Sequence, residues 1–326
     1  MKKNQLLLGI YLPIIFILTA GAVTLRTVAI MRDLDTSTGY YDDKTLITFS
    51  AVAVVVAALV ALSYLVVGDR ELKLVASFDT PATYIPSATV AVALLFVAAG
   101  IGRDLAVSIS TRFDPSLQGG DYLLICTALL ALLAIVGFFL TSFSGRRESL
   151  SRAAFGIATV IFTTAYGAML YFDKSMPMTA PDRIADLMAY VLASVFFLYE
   201  IRLSLGRDVW FAYISFGMLG ACVCAYSALP ALIAYFIDGH AVSLTIYETV
   251  LTLALAIFMV SRVLLTTRLP EDKDTPLLAI IKSGEERLAA AAEAAEDSED
   301  EDDGEDVENY TFDLVQSPEG GKEDKE

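Results

Sequence analysis

Long apolar runs alternate with short polar connections along most of the chain, and eight of them are read as membrane-crossing helices: about 6–31, 46–67, 85–101, 122–143, 153–172, 183–207, 209–237 and 242–265. At about 1.5 Å per residue such runs match the ~30 Å hydrocarbon layer of a bilayer. The sixth run, RIADLMAYVLASVFFLYEIRLSLGR, is the most clearly divided. Stepping by 100° per residue puts Asp186, Ala189, Tyr190, Ala193, Phe197, Glu200, Ser204 and Arg207 on one side, and Met188, Val191, Val195, Leu198 and Leu205 on the other. The first side suits protein and the second suits lipid, so this helix needs partner helices.

The polar connections carry the orientation. With the N-terminus inside, the inner ends of the runs hold 12 Lys and Arg (Lys2 and Lys3 through Arg70, Lys73, Arg146, Arg147, Arg152, Arg202, Arg207, Arg262, Arg268 and Lys273) against 7 at the outer ends. That excess places both termini in the cytoplasm. The first run is longer than the ~7–15-residue core of a signal peptide, so it is read as an uncleaved span in spite of Ala20-Gly21-Ala22. The stretch RDLDTSTGYYDDKT reads as an outer loop. Leu72, Leu74, Val75 and Phe78 read as a short piece on the inner membrane surface, and Pro13 and Pro230 as a kink and an interruption.

Composition agrees with this division and adds a second region. Hydrophobic residues make up 56% of the 326 residues, above the usage of soluble domains. Residues 1–269 balance 18 acids with 18 bases, so the net charge of -16 comes from the 21 acids and 5 bases of 270–326. The fold class expected is an all-α, polytopic integral membrane protein. Residues 1–269 form a bundle of about eight transmembrane helices, and 270–326 form an acidic cytoplasmic tail, a short helix followed by disorder. The acidic balance argues against nucleic acid, whose phosphates need Lys and Arg. Cys126, Cys222 and Cys224 all fall in apolar runs; Cys222 and Cys224 point about 200° apart on a helix, which suits packing between helices rather than a disulfide or zinc site.

Charges inside hydrocarbon are costly, so each is a candidate site. Glu248 is the deepest in this reading, about 12 Å beyond His240 by helical rise, on one face with Thr245, Thr252, Met259 and Arg262. Its expected partner is Arg26 or Arg103, both in the same outer half. Asp186 and Glu200 share a face of the sixth run but stand about 21 Å apart along its axis, too far to act on one atom. A single histidine, His240, and no deep acidic companion for Glu248 leave no catalytic, cofactor or metal constellation.

The expected function is a non-enzymatic plasma-membrane sensor, scaffold or accessory subunit. Its partners are the lipid bilayer and a cytoplasmic protein reached through the acidic tail. The alternative is a small-molecule or ion transporter using Glu248 and the polar face of the sixth run. A polar cavity reaching Glu248 would favour transport; a dry bundle would favour the first reading.

Overall fold

In a computed structural model of the chain, the described residues are 2–35, 38–67, 81–111, 119–143, 150–172, 177, 179–204, 209–238 and 246–268. The chain divides into one compact unit, Met1–Gly284, and a second, Glu285–Glu326. The expectations for the surface piece around Leu72, for Arg146, Arg147, Arg207 and His240, and for the acidic tail lie outside the described residues.

The apolar runs fold as helices: α1 (Lys2–Asp33), α2 (Lys44–Val67), α3 (Pro81–Thr111), α4 (Gly119–Phe143), α5 (Leu150–Phe172), α6 (Pro181–Ser204), α7 (Trp210–Asp238) and α8 (Ile246–Arg268). Seven are long and apolar enough to cross a membrane; in α5 the shorter apolar stretch is Gly156–Phe172. The third run extends further than expected, past Ile101 and Arg103 to Thr111, because Gly102 to Ser110 contains no residue that stops a helix. Pro13, Pro86 and Pro230 all lie inside helices rather than ending them.

The first connection is not a plain loop. Leu34–Asp35 (β1) and Tyr40–Tyr41 (β2) pair antiparallel, with Leu34 opposite Tyr41 and Asp35 opposite Tyr40. Gly39 makes the reversal possible with φ of 72°, a left-handed conformation that side chains resist. The Asp35 carbonyl accepts from the Gly39 N–H, and its carboxylate accepts from Thr38. Asp43 then caps α2, accepting the Thr45 N–H at 2.9 Å, and these Thr45 hydrogen bonds hold its carboxyl below the usual range.

Helices α3, α4, α5, α6, α7 and α8 pack in succession, and α8 returns to α3, so these six close a ring. The α1–α2 hairpin lies against α7. Helix α7 therefore touches α1, α2, α6 and α8, and 72% of its most apolar window is buried, against 22% for α1 and for α2. Close approach of α7 to α8 depends on glycine. A Cβ on Gly217 would sit 2.6 Å from Val263 Cγ2, and one on Gly220 would sit 2.7 Å from Met259 Sδ. The two buried cysteines of α7 face opposite ways as expected, Cys222 taking the Thr19 hydroxyl of α1 at 3.0 Å and Cys224 lying 3.6 Å from the Ala189 carbonyl of α6.

The division of α6 holds. Asp186, Ala189, Tyr190, Ala193 and Phe197 are buried, while Met188, Val191 and Leu198 are exposed.

Candidate functional site

Three polar layers cross the bundle, each built on α6. The first lies at the end where α1 finishes and α6 begins. Arg26 is 1% exposed and Asp182 is fully buried, and they form an ion pair at 2.6 Å. Both Arg26 Nε and Nη2 donate to the same oxygen, Asp182 Oδ1, at 3.2 and 2.6 Å. The Tyr41 hydroxyl of β2 donates to both oxygens of that carboxylate, at 2.8 and 3.0 Å. Asp182 also sits in the first turn of α6, where the helix dipole favours an anion.

The third donor of Arg26 explains why Pro230 does not interrupt α7. A proline has no N–H, so the carbonyl four residues earlier, that of Tyr226, loses its helical partner. Arg26 Nη1 donates to that carbonyl at 2.6 Å. Its guanidinium also lies 4.6 Å from the centre of the Tyr226 ring. The Tyr226 hydroxyl shares a hydrogen bond with Ser50 of α2 at 3.0 Å. One turn further along α6, Asp186 is buried and accepts from Ser227 of α7. Beside this layer Arg183 donates to the Leu170 carbonyl at 2.7 and 3.0 Å and to that of Tyr171 at 2.7 Å, which satisfies two of the carbonyls left without helical partners at the end of α5.

These contacts correct the expected Arg26–Glu248 pairing. Arg26 is on the α1 side of α7, engaged by Asp182 and Tyr226. Arg103, on the neighbouring α3, is exposed. At that level the contact from α3 to α8 runs from Tyr247, whose hydroxyl donates to Asp104 at 2.6 Å. Gly100 admits the Tyr247 ring, which stands 2.7 Å from where a Cβ would be.

Glu248 builds the second layer, inside the ring of six. Glu248 stands in the first turn of α8, at the dipole end that suits a carboxylate. Tyr166 of α5 donates to Glu248, and the Tyr166 and Tyr190 rings lie 5.0 Å apart. Thr252 donates to the Tyr190 hydroxyl at 3.3 Å. Thr252, Met259 and Arg262 are buried on this side of α8, as the spacing predicts.

At the opposite end, Glu200 accepts from the Tyr213 hydroxyl of α7 at 2.6 Å and stands 3.1 Å from Arg262 Nη2 of α8, an ion contact without hydrogen-bond alignment. The Arg262 guanidinium also lies 5.1 Å from the Phe258 ring centre. Asp186 and Glu200 thus serve separate layers, as their spacing requires.

Between the second and third layers the middle of the ring holds aromatic rings. Phe138 of α4, Phe197 of α6 and Phe258 of α8 form a triangle with centroids 5.3, 5.6 and 5.8 Å apart. The two contacts of Phe138 are edge to face and that of Phe197 with Phe258 is tilted, arrangements favourable beyond the area they bury. Chemically, the arrangement supplies phenols and guanidinia bound to carboxylates. Among the described residues no group of three or more His, Cys, Asp or Glu could hold a metal ion.

Asp182 and Tyr166 stand in no pattern that the sequence reading picks out. One signal was available: Pro230 announces that the Tyr226 carbonyl needs an outside donor. Comparison of the chain with protein-family models, with curated proteins and with solved structures found no match.

Proposed function

We propose that the chain is a non-enzymatic component of the plasma membrane, a sensor, scaffold or accessory subunit. In this reading α5 is an eighth span, both termini are cytoplasmic, and the acidic tail of 270–326 contacts a cytoplasmic protein. The observation that supports it best is the triangle of Phe138, Phe197 and Phe258 between two polar layers. A transport path through the ring needs polar groups along its length; three phenylalanines stand between the Glu248 and Glu200 layers instead. The carboxylates of α6 are also matched within the bundle: Asp182 by Arg26, Asp186 by Ser227, Glu200 by Tyr213 and Arg262. Such pairing fixes helix packing.

The test is water access to the ring interior. Single cysteines replace Ala193, Thr252 or Leu255, all buried, in a background where the exposed Cys126 is serine and the buried Cys222 and Cys224 are alanine. A membrane-impermeant maleimide is applied from each side, with labelling after denaturation as the reference. A scaffold leaves all three unlabelled from both sides. Labelling of Thr252→Cys and Leu255→Cys would instead support transport past Glu248.

A further inference from the structure

We propose that the groove between α5 and α6 binds one acyl chain of a membrane lipid, in the leaflet next to the start of α6. The inference rests on the membrane reading but not on the scaffold reading. The groove encloses about 380 Å³, opens outward, and is lined by Thr164, Gly167 and Ala168 of α5 and by Val191, Ser194 and Val195 of α6, among others. Val191 belongs to the face of α6 that points away from the bundle.

Three features select an acyl chain. The first is direction and length. The groove follows α5 from Phe172, at the helix end, down to Thr163. At the helical rise this is about 13 Å, close to the ~15 Å that half of a 30 Å hydrocarbon layer allows.

The second is the polarity of the walls. The serine and threonine hydroxyls along the groove are turned on one another or on the backbone. Ser194 donates to Thr163 at 2.8 Å and to the Tyr190 carbonyl at 2.8 Å, and Thr164 donates to Ser194 at 3.3 Å. The surface left facing the groove is therefore almost wholly apolar. A partner helix in lipid is held chiefly by close backbone approach and interhelical hydrogen bonds. Here the serine and threonine donors of the walls are already engaged, whereas a hydrocarbon chain needs none.

The third is the collar. Tyr171 and Phe172, half-exposed or more, meet edge to face at 5.3 Å at the mouth of the groove. Aromatic rings collect at the headgroup level, where a lipid chain begins.

The full-length protein in phosphatidylcholine nanodiscs tests this. The probe is a phosphatidylcholine carrying a photoactivatable diazirine at mid-chain, with cross-linked residues mapped by mass spectrometry. Labelling is expected to concentrate on Thr164, Ala168, Val191 and Val195, at least fivefold above equally exposed positions of α1 and α2. Ala168 faces outward, so Ala168→Phe fills the groove without disturbing the core and should cut that labelling several-fold. Ile157→Phe, on the exposed side of α5 outside the groove, should leave it unchanged. Labelling spread in proportion to exposure, or unaffected by Ala168→Phe, would overturn the proposal. A disulfide-linked dimer of Ala168→Cys, with the exposed Cys126 replaced by serine, would also overturn it, by giving the groove to a second copy.

Discussion

Replacing Asp182 by Asn keeps the shape of the side chain and removes its charge. It leaves Arg26, 1% exposed, without its counter-ion. Breaking one member of a buried pair costs about 3–5 kcal/mol. The remaining Tyr226 carbonyl and ring place this variant at the lower end, about 3 kcal/mol, or roughly a hundredfold in the unfolding constant. Arg26→Met, Tyr41→Phe and Asp182→Leu together remove the charges and the phenol at once. The loss then comes from the Tyr226 carbonyl, which Pro230 cannot serve, at about 1–3 kcal/mol for an unsatisfied buried acceptor. Adding Pro230→Ala supplies the missing N–H and should bring the combined variant back to within about 1 kcal/mol of the parent. Reversible unfolding in mixed micelles with rising dodecyl sulfate gives each value. If Pro230→Ala fails to improve the triple variant, Arg26 is not the surrogate donor for that carbonyl. If Asp182→Asn costs nothing measurable, the pair is not buried in the protein.

Three further outcomes follow from the packing. Gly217→Ala forces a methyl to within 2.6 Å of Val263 and should destabilise by about 1–3 kcal/mol; Gly21→Ala, where nothing lies within 4 Å, should be neutral or slightly stabilising in the same assay. Burial, then the Asp182 carboxylate, push the Tyr41 phenol upward from its usual value of about 10. Its folded value exceeds the unfolded one, so its contribution is whole below pH ~10 and drains as pH rises beyond. The gap in thermal midpoint between parent and Tyr41→Phe should narrow from pH 8 to pH 11, and a constant gap would contradict this. Arg183→Ala removes three hydrogen bonds to the Leu170 and Tyr171 carbonyls; faster amide exchange near Phe172, with the centre of α5 unchanged, is the expected readout.

The helices and their faces are readable in the sequence because hydrocarbon imposes one rule on every span: backbone bonds are satisfied within it, and polar side chains turn inward. That is why the inward set on α6, from Asp186 to Phe197, and the face shared by Thr252, Met259 and Arg262 on α8 are found where periodicity puts them. Partner choice is less legible, since it depends on which helices are neighbours. Arg26 and Glu248 share an outer half in any linear reading, yet α7 stands between α1 and α8. Glu248 stands in the first turn of α8, Ile246–Arg268. The β1–β2 hairpin carries only the Gly39 reversal as a local sign, and it is Tyr41's contact with Asp182 that ties it to the bundle.

The Arg26–Asp182 pair joins positions 156 residues apart. Ribosomes deliver about 5–20 residues per second, so the guanidinium reaches the membrane roughly 8–30 seconds ahead of its carboxylate. During that wait an unmatched cation sits near the end of the first helix, at an insertion penalty of about 2.5–3.5 kcal/mol at full depth. The expected consequence is a newborn α1 that rides high, keeps Arg26 at the water boundary and sinks into register when the sixth helix arrives, so that final seating of the first segment comes late in the birth of this protein.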